Sequence, residues 1–163
     1  MRKGLDRMIL AVFFALSIFV LSICPAAAET VTLKAVTAWP KAAVEYKAFT
    51  IFADLVDQIT AKKAPGELKV QYIGGPEAVK AADQAQALQR GMVDVIFTAG
   101  AYYQGILPDI DALKLTELMP WEERANGTWA YVNDLHEKKV GIHYLAVCPG
   151  DGGIHLGFVN GGV

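Results

Sequence analysis

Residues 68–103 read LKVQYIGGPEAVKAADQAQALQRGMVDVIFTAGAYY and decide the fold. Residues 68–72 alternate apolar and polar side chains, which is the pattern of a strand that is buried on one face. Two glycines interrupt this strand, and residues 76–90 then repeat apolar positions at helical spacing, which predicts a helix of about four turns. The apolar run 93–97 predicts a second strand. Together they predict a right-handed βαβ unit with parallel strands, whose carboxyl ends form the edge where open α/β sheets bind ligands.

Strands and helices alternate along the rest of the chain as well. Residues 31–38 predict a first strand, and residues 42–61 predict an amphipathic helix because apolar residues recur every third or fourth position. Residues 121–138 predict another helix, residues 140–147 a buried strand, and residues 154–158 one more strand. This order predicts an α/β fold that is built on a doubly wound, mostly parallel sheet.

The N-terminus has the three parts of a secretory signal peptide. Basic residues, an apolar run and small residues that end in an Ala-x-Ala pattern follow one another within residues 1–28. We expect cleavage between Ala28 and Glu29, which leaves residues 29–163 outside the cytoplasm. A retained membrane anchor is the alternative, although the apolar run is shorter than the roughly 20 residues of a bilayer span.

Charge and cysteine content narrow the class of protein further. The chain has 15 Lys and Arg against 17 Asp and Glu. Because it is mildly acidic and has no basic cluster, nucleic acid is not expected as a partner. Residues 29–163 contain a single cysteine, Cys148, so an intrachain disulfide is excluded and the hydrophobic core must supply the stability.

Loops that follow successive strands of a parallel sheet meet at one edge, and here those loops carry the candidate ligand-binding residues. They are Trp39, Gly75, Pro76, Glu77, Tyr102, Tyr103, Asp151 and Gly152. Glycines let a backbone approach a ligand closely, and aromatic rings offer apolar walls. Free backbone N–H groups at the start of a helix after Gly75 would hold an anion such as a carboxylate.

Most of these residues also have a purely structural interpretation. Glu77 suits the positive end of a helix, Trp39 suits the core at a strand end, and Asp151 with Gly152 suits a plain turn. Of the adjacent tyrosines Tyr102 and Tyr103, we expect one to face the core and the other to reach the edge.

A small secreted α/β hydrolytic enzyme is the alternative function. Cys148 with His143 or His155 would provide a thiol nucleophile, or Glu77 would be the reactive group, but no third orienting residue is evident. The histidines lack the close spacing of zinc ligands, and the Gly-Gly-Pro-Glu run lacks the pattern of a phosphate-binding loop. We therefore predict no metal and no cofactor.

Several motifs in order carry a family resemblance. They are the aromatic-proline pair at Trp39, the run at residues 74–77, the sequence ALQRGMVDV at residues 87–95, and the Leu-Pro pair at residues 107–108. The chain resembles, from about Glu29 to its end, the DctP-type solute-binding subunit of tripartite ATP-independent periplasmic (TRAP) transporters. Residues 88–94 are the most specific part of this resemblance.

The resemblance implies a non-catalytic periplasmic receptor that captures an organic acid and delivers it to the membrane permease subunits of a secondary transporter. It implies that residues 29–163 are the first lobe of a type II periplasmic-binding-protein-like fold, truncated so that the second lobe is missing. The arginine that clamps the solute carboxylate in the family lies in that second half. The resemblance therefore implies that this chain alone binds its solute weakly or not at all.

Overall fold

The computed structural model describes residues 30–63, 65–148 and 154–159. The predicted signal peptide and the candidate residues Asp151 and Gly152 lie outside these residues. Within the described part, the strands are β1 (Val31–Thr37), β2 (Leu68–Gly74), β3 (Val95–Ala99), β4 (Ile142–Cys148) and β5 (Ile154–Val159), and the α-helices are α1 (Val44–Lys63), α2 (Gln84–Gln89), α3 (Pro120–Asn126) and α4 (Thr128–Val140). No helix among these residues has the length and apolar character needed to cross a membrane.

The strands of the described residues form one five-stranded sheet in the order β2-β1-β3-β5-β4. β1 runs parallel to β2 on one side and to β3 on the other. β5 runs antiparallel to both of its neighbours, β3 and β4, so β4 points the same way as β1, β2 and β3. The doubly wound, mostly parallel sheet is therefore confirmed, and the carboxyl ends of four strands lie at one edge.

Helices cover both faces of the sheet, as a doubly wound fold requires. On one face, α1 packs its buried Phe49 against Val70 of β2 and Phe97 of β3. On the other face, Leu88 of α2 and Val132 of α4 belong to a larger cluster of buried side chains. Apolar burial stabilises the sheet most at its centre, where β3 is buried on both faces.

The end of α2 places β3 beside β1. Gly91, with φ of +67°, closes the helix, and the N–H of Met92 bonds back to a carbonyl of its last turn. The carboxylate of Asp94 then accepts a hydrogen bond from the N–H of Lys34 at 2.8 Å, and the N–H of Asp94 donates to the Lys34 carbonyl at 2.8 Å. Asp94 therefore extends the β1–β3 pairing by one step, which is a structural reason for the Asp in this motif.

Two predicted helices differ from the structure. The helix predicted from Pro76 begins only with a 3-10 turn at Ala81–Asp83, which leads into α2, because the residues after Pro76 close a turn onto the carbonyl of Gly75. The helix predicted over residues 121–138 is divided into α3 and α4 at Gly127, whose φ of +89° is left-handed.

Asp94→Ala is expected to lower the free energy of unfolding by about 1 kcal/mol, because the Lys34 N–H loses its partner at the edge of the ladder. Urea denaturation measures this loss. Asp83→Ala is the matched control, since Asp83 is exposed and its side chain makes no capping hydrogen bond. Equal losses in the two variants would show that the carboxylate does not support the strand pairing.

Candidate functional site

Trp39, Gly75 and Tyr102 lie together at the carboxyl edge of the sheet. The ring of Trp39 meets the ring of Tyr102 edge-on, with 6.1 Å between centroids. The carbonyl oxygen of Trp39 lies 3.0 Å from the position that a Cβ atom on Gly75 would occupy. The loops after β1, β2 and β3 therefore meet as the sequence predicts, while ligand binding by these residues stays a prediction.

Buried polar side chains hold the loop after β1 in place. The hydroxyl of Thr37 donates to the carbonyl of Trp39 at 2.6 Å. The Nε2 of Gln84 donates to the carbonyls of Thr37 at 2.8 Å and Val79 at 3.0 Å. Gln84 is fully buried, so this amide ties the first two loops of the edge to each other. Sequence analysis missed Gln84, and its only signal is a polar residue on the buried side of α2.

Gly75 and Glu77 form a closed turn. The N–H of Gly75 donates to Oε1 of Glu77 at 2.7 Å. This backbone hydrogen bond is the main reason that the pKa of the exposed Glu77 carboxyl lies below its ordinary value, and the charge of Lys41 contributes less. The helix start predicted after Gly75 is wrong, because no helix begins there, and an internal carboxylate binds the Gly75 N–H. Anion binding at this turn stays a prediction.

Lys41 provides a cation at this edge that sequence analysis did not single out. Its ammonium lies 5.1 Å from the centroid of the Tyr72 ring, within cation–π range, and the side chain is exposed. Its position directly after the Trp-Pro pair is the sequence signal that marks it. Among the described residues, the edge thus combines the cation of Lys41 and the anion of Glu77 with the aromatic rings of Trp39 and Tyr102.

The two adjacent tyrosines point in different directions, as the sequence predicts. Tyr103 is 6% exposed, and its hydroxyl donates to Nε2 of His136 at 3.0 Å, because Nδ1 of His136 donates to the carbonyl of Val132 at 2.8 Å. Tyr102 is 41% exposed and is the tyrosine that faces the edge. Pro76 is half-buried in the turn that follows β2.

Cys148, His143 and Glu77, each proposed for the alternative enzyme, show no activation. Burial raises the pKa of the Cys148 thiol, which favours the unreactive protonated form. His143 lies on the same strand and contacts Oε1 of Glu137 at 2.8 Å rather than the thiol. The lowered pKa of Glu77 is the opposite of what a general acid needs. Among the described residues, no group of three His, Cys, Asp or Glu side chains is placed to hold a metal ion.

The chain belongs to the DctP family of solute-binding proteins. The family model for "Bacterial extracellular solute-binding protein, family 7" matches residues 35–157, which is most of the chain. The resemblance inferred from the sequence motifs is therefore confirmed.

Solved structures of TRAP periplasmic solute-binding proteins share the fold. An apo, open structure from Rhodobacter sphaeroides is 18% identical, with a TM-score of 0.57 over 72% of this chain and 38% of that chain. A protein from Sulfitobacter sp. NAS-14.1 with bound alpha-D-taluronate is 19% identical, with a TM-score of 0.56 over 75% of this chain and 40% of that chain. A protein from Desulfovibrio salexigens with bound orotic acid is 15% identical, with a TM-score of 0.56 over 72% and 38%. The chain thus spans less than half the length of each of these proteins.

Gly75→Ala is expected to destabilise the protein by about 1–3 kcal/mol, because the added methyl group would overpack the edge. The new Cβ would lie 2.8 Å from Oε2 of Glu77 and 3.0 Å from the backbone oxygen of Trp39, which cannot move as a side chain does. Tryptophan fluorescence during urea unfolding measures the change. Gly105→Ala is the control, since a Cβ there meets no atom within 4 Å. If both variants lose the same stability, the loops are not in close contact.

Glu77→Gln is expected to make the fold less sensitive to acid. Because the folded-state pKa of Glu77 is below its ordinary value of 4.5, the ionised group stabilises the fold above that pH. This contribution is lost as the pH falls through the folded-state pKa. Unfolding free energies measured by urea from neutral pH to below pH 4.5 should therefore fall more steeply for the wild type. Parallel curves for the two proteins would contradict the prediction.

Proposed function

We propose that the chain is the first lobe of the periplasmic solute-binding subunit of a TRAP-type secondary transporter, and that it captures an organic acid for uptake by the membrane permease. The observation that carries this proposal is the meeting of Trp39, Tyr102, Lys41 and Glu77 at the carboxyl edge of the sheet, in a member of the DctP family. The family is one of solute-binding proteins, which supports a role without catalysis.

Each group at the edge suits one part of a hydroxylated monocarboxylic acid. The Lys41 ammonium pairs with the carboxylate, and the ionised Glu77 accepts hydrogen bonds from hydroxyl groups. The rings of Trp39 and Tyr102 pack against the carbon skeleton. A second carboxylate on the solute would meet Glu77 and be repelled, so a sugar acid suits this edge better than a dicarboxylate. The taluronate bound by the Sulfitobacter protein is a solute of this class.

This edge is expected to bind its solute weakly. Sites for small molecules bury about 70–90% of the ligand surface, and a single open edge covers much less. The chain spans 38% of the Rhodobacter protein, and we infer that the described edge supplies one side of such a site. An exposed ion pair such as that of Lys41 with a carboxylate contributes only about 0–1 kcal/mol. A dissociation constant in the millimolar range, roughly −4 kcal/mol, follows from these contributions.

Placement in the periplasm is supported by the signal-peptide pattern within residues 1–28 and by the periplasmic origin of the solved relatives. The partnership with a permease is supported by membership of the DctP family. Genes for two TRAP membrane subunits beside the gene for this chain would strengthen that partnership. A genome that encodes no such subunits would contradict it.

The binding proposal is tested by NMR titration of residues 29–163 with D-galacturonate, following the backbone amide resonances of Lys41, Glu77 and Tyr102, which remain observable when Trp39 is replaced. We expect a saturable shift with a dissociation constant of about 1–10 mM. Trp39→Ala should abolish binding, and Lys41→Ala should weaken it about threefold, because an exposed ion pair contributes little. The matched control is Lys138→Ala, since Lys138 is exposed and pairs with Asp134 on α4.

Neutral galactose serves as the control ligand, because it has the hydroxyl groups without the carboxylate. If galactose and galacturonate shift the resonances of these edge residues equally, the edge does not recognise an acid. If galacturonate binds with the same affinity after Lys41→Ala and after Trp39→Ala, the solute binds elsewhere. Either result would overturn the assignment of this site.

A further inference from the structure

We propose that the outer face of α1 is the interface of a two-fold symmetric homodimer. While Phe49 is buried against the sheet, four large apolar side chains of the same helix remain exposed. Their exposed fractions are 76% for Val44, 61% for Ile51, 49% for Leu55 and 52% for Ile59. We call these four residues the α1 stripe.

The α1 stripe is a continuous feature of the helix surface. Its members are separated by seven, four and four positions, so at 3.6 residues per turn they lie along one side of the helix. α1 has 20 residues and is therefore about 30 Å long. Single exposed apolar residues are common on protein surfaces, whereas a contiguous line of them marks an interaction surface.

The α1 stripe is complementary to itself when two helices pack antiparallel. With the two-fold axis beside Ile51, Val44 of each copy lies opposite Ile59 of the other copy. The half-buried Ala48 then lies opposite Leu55, which places a small side chain against a large one. The two Ile51 side chains meet at the axis, so the same register buries the whole stripe of both copies.

Charge at the margin of the stripe favours a second copy of the chain as the partner. Lys47 and Asp54 are both exposed and lie about two turns apart on the same flank of the stripe. In the antiparallel register, Lys47 of each copy comes beside Asp54 of the other, so two ion pairs form across the axis. In a parallel arrangement this flank would face the opposite flank of the other copy, so these two ion pairs would not form.

The size of the α1 stripe predicts a dimer that dissociates on dilution. A standard interface buries about 800 Å² on each partner, and four partly exposed side chains with their flanks provide less than that. We therefore expect an equilibrium between monomer and dimer that shifts with concentration, rather than a permanent dimer.

Sedimentation velocity of the secreted chain at concentrations up to about 100 μM tests the proposal, because an interface of moderate affinity is populated in that range. The average mass is expected to rise towards that of a dimer. Leu55→Glu should weaken association at least about tenfold, because it places a charge in the apolar interface. Leu115→Glu is the matched control, since Leu115 is 85% exposed and lies outside α1. Circular dichroism verifies that both variants keep their helices.

Charge reversal identifies the partner as a second copy in the antiparallel register. Lys47→Asp and Asp54→Lys should each weaken association about threefold, as expected for exposed ion pairs. The double variant restores both pairs across the axis and should recover the wild-type association constant. No recovery would mean that Lys47 and Asp54 do not face each other.

Three outcomes would overturn the proposal. In the first, the chain stays monomeric over the whole concentration range, as expected if a different protein or another polypeptide segment covers the α1 stripe. In the second, dimers form and Leu55→Glu leaves their association unchanged. In the third case, Leu115→Glu disrupts them as strongly as Leu55→Glu does, which would place the interface elsewhere.

Discussion

Parallel pairing of β1 with a neighbour on each side is the constraint on which the site depends. The register runs from Val31 with Leu68 on one side to Thr37 with Phe97 on the other, and Asp94 extends the second pairing by binding the backbone of β1. Because all three strands end at the same edge, the loops that follow them must meet there. The contacts of the edge follow from this geometry rather than from any short motif.

The chemistry of that edge is decided by which hydrogen bonds are already used. The Gly75 N–H binds Glu77, so the turn presents a carboxylate to solvent instead of a free donor. Lys41 then supplies the positive charge, and its ammonium lies 5.1 Å from the centroid of the Tyr72 ring at the same edge. Under the proposed function, these adjacent opposite charges would favour a solute that carries one acid and several hydroxyl groups over one that carries two acids.

Helix α1 has two apolar sides, one that packs on the sheet and one that is exposed. Its Phe49 side packs on the sheet and stabilises the strands that form the site, while the α1 stripe lies on a side that no described element covers. A helix contacts a sheet along one side only. Apolar residues that extend around more than half of its circumference therefore cannot all be buried on one sheet. The proposed dimer is one consequence of that mismatch.

Periodicity in the sequence determined the strands, the long helix and the class of fold, because burial on one or two faces imposes spacings that are visible in the chain. It also determined that Trp39 and Tyr102 lie near each other, since parallel strands share an edge. Only the tertiary structure decided the roles of Gln84 and Lys41 and the loss of the predicted helix start at Pro76. Those outcomes depend on which distant backbone groups lie within hydrogen-bond or charge range, and spacing along a chain does not encode such distances.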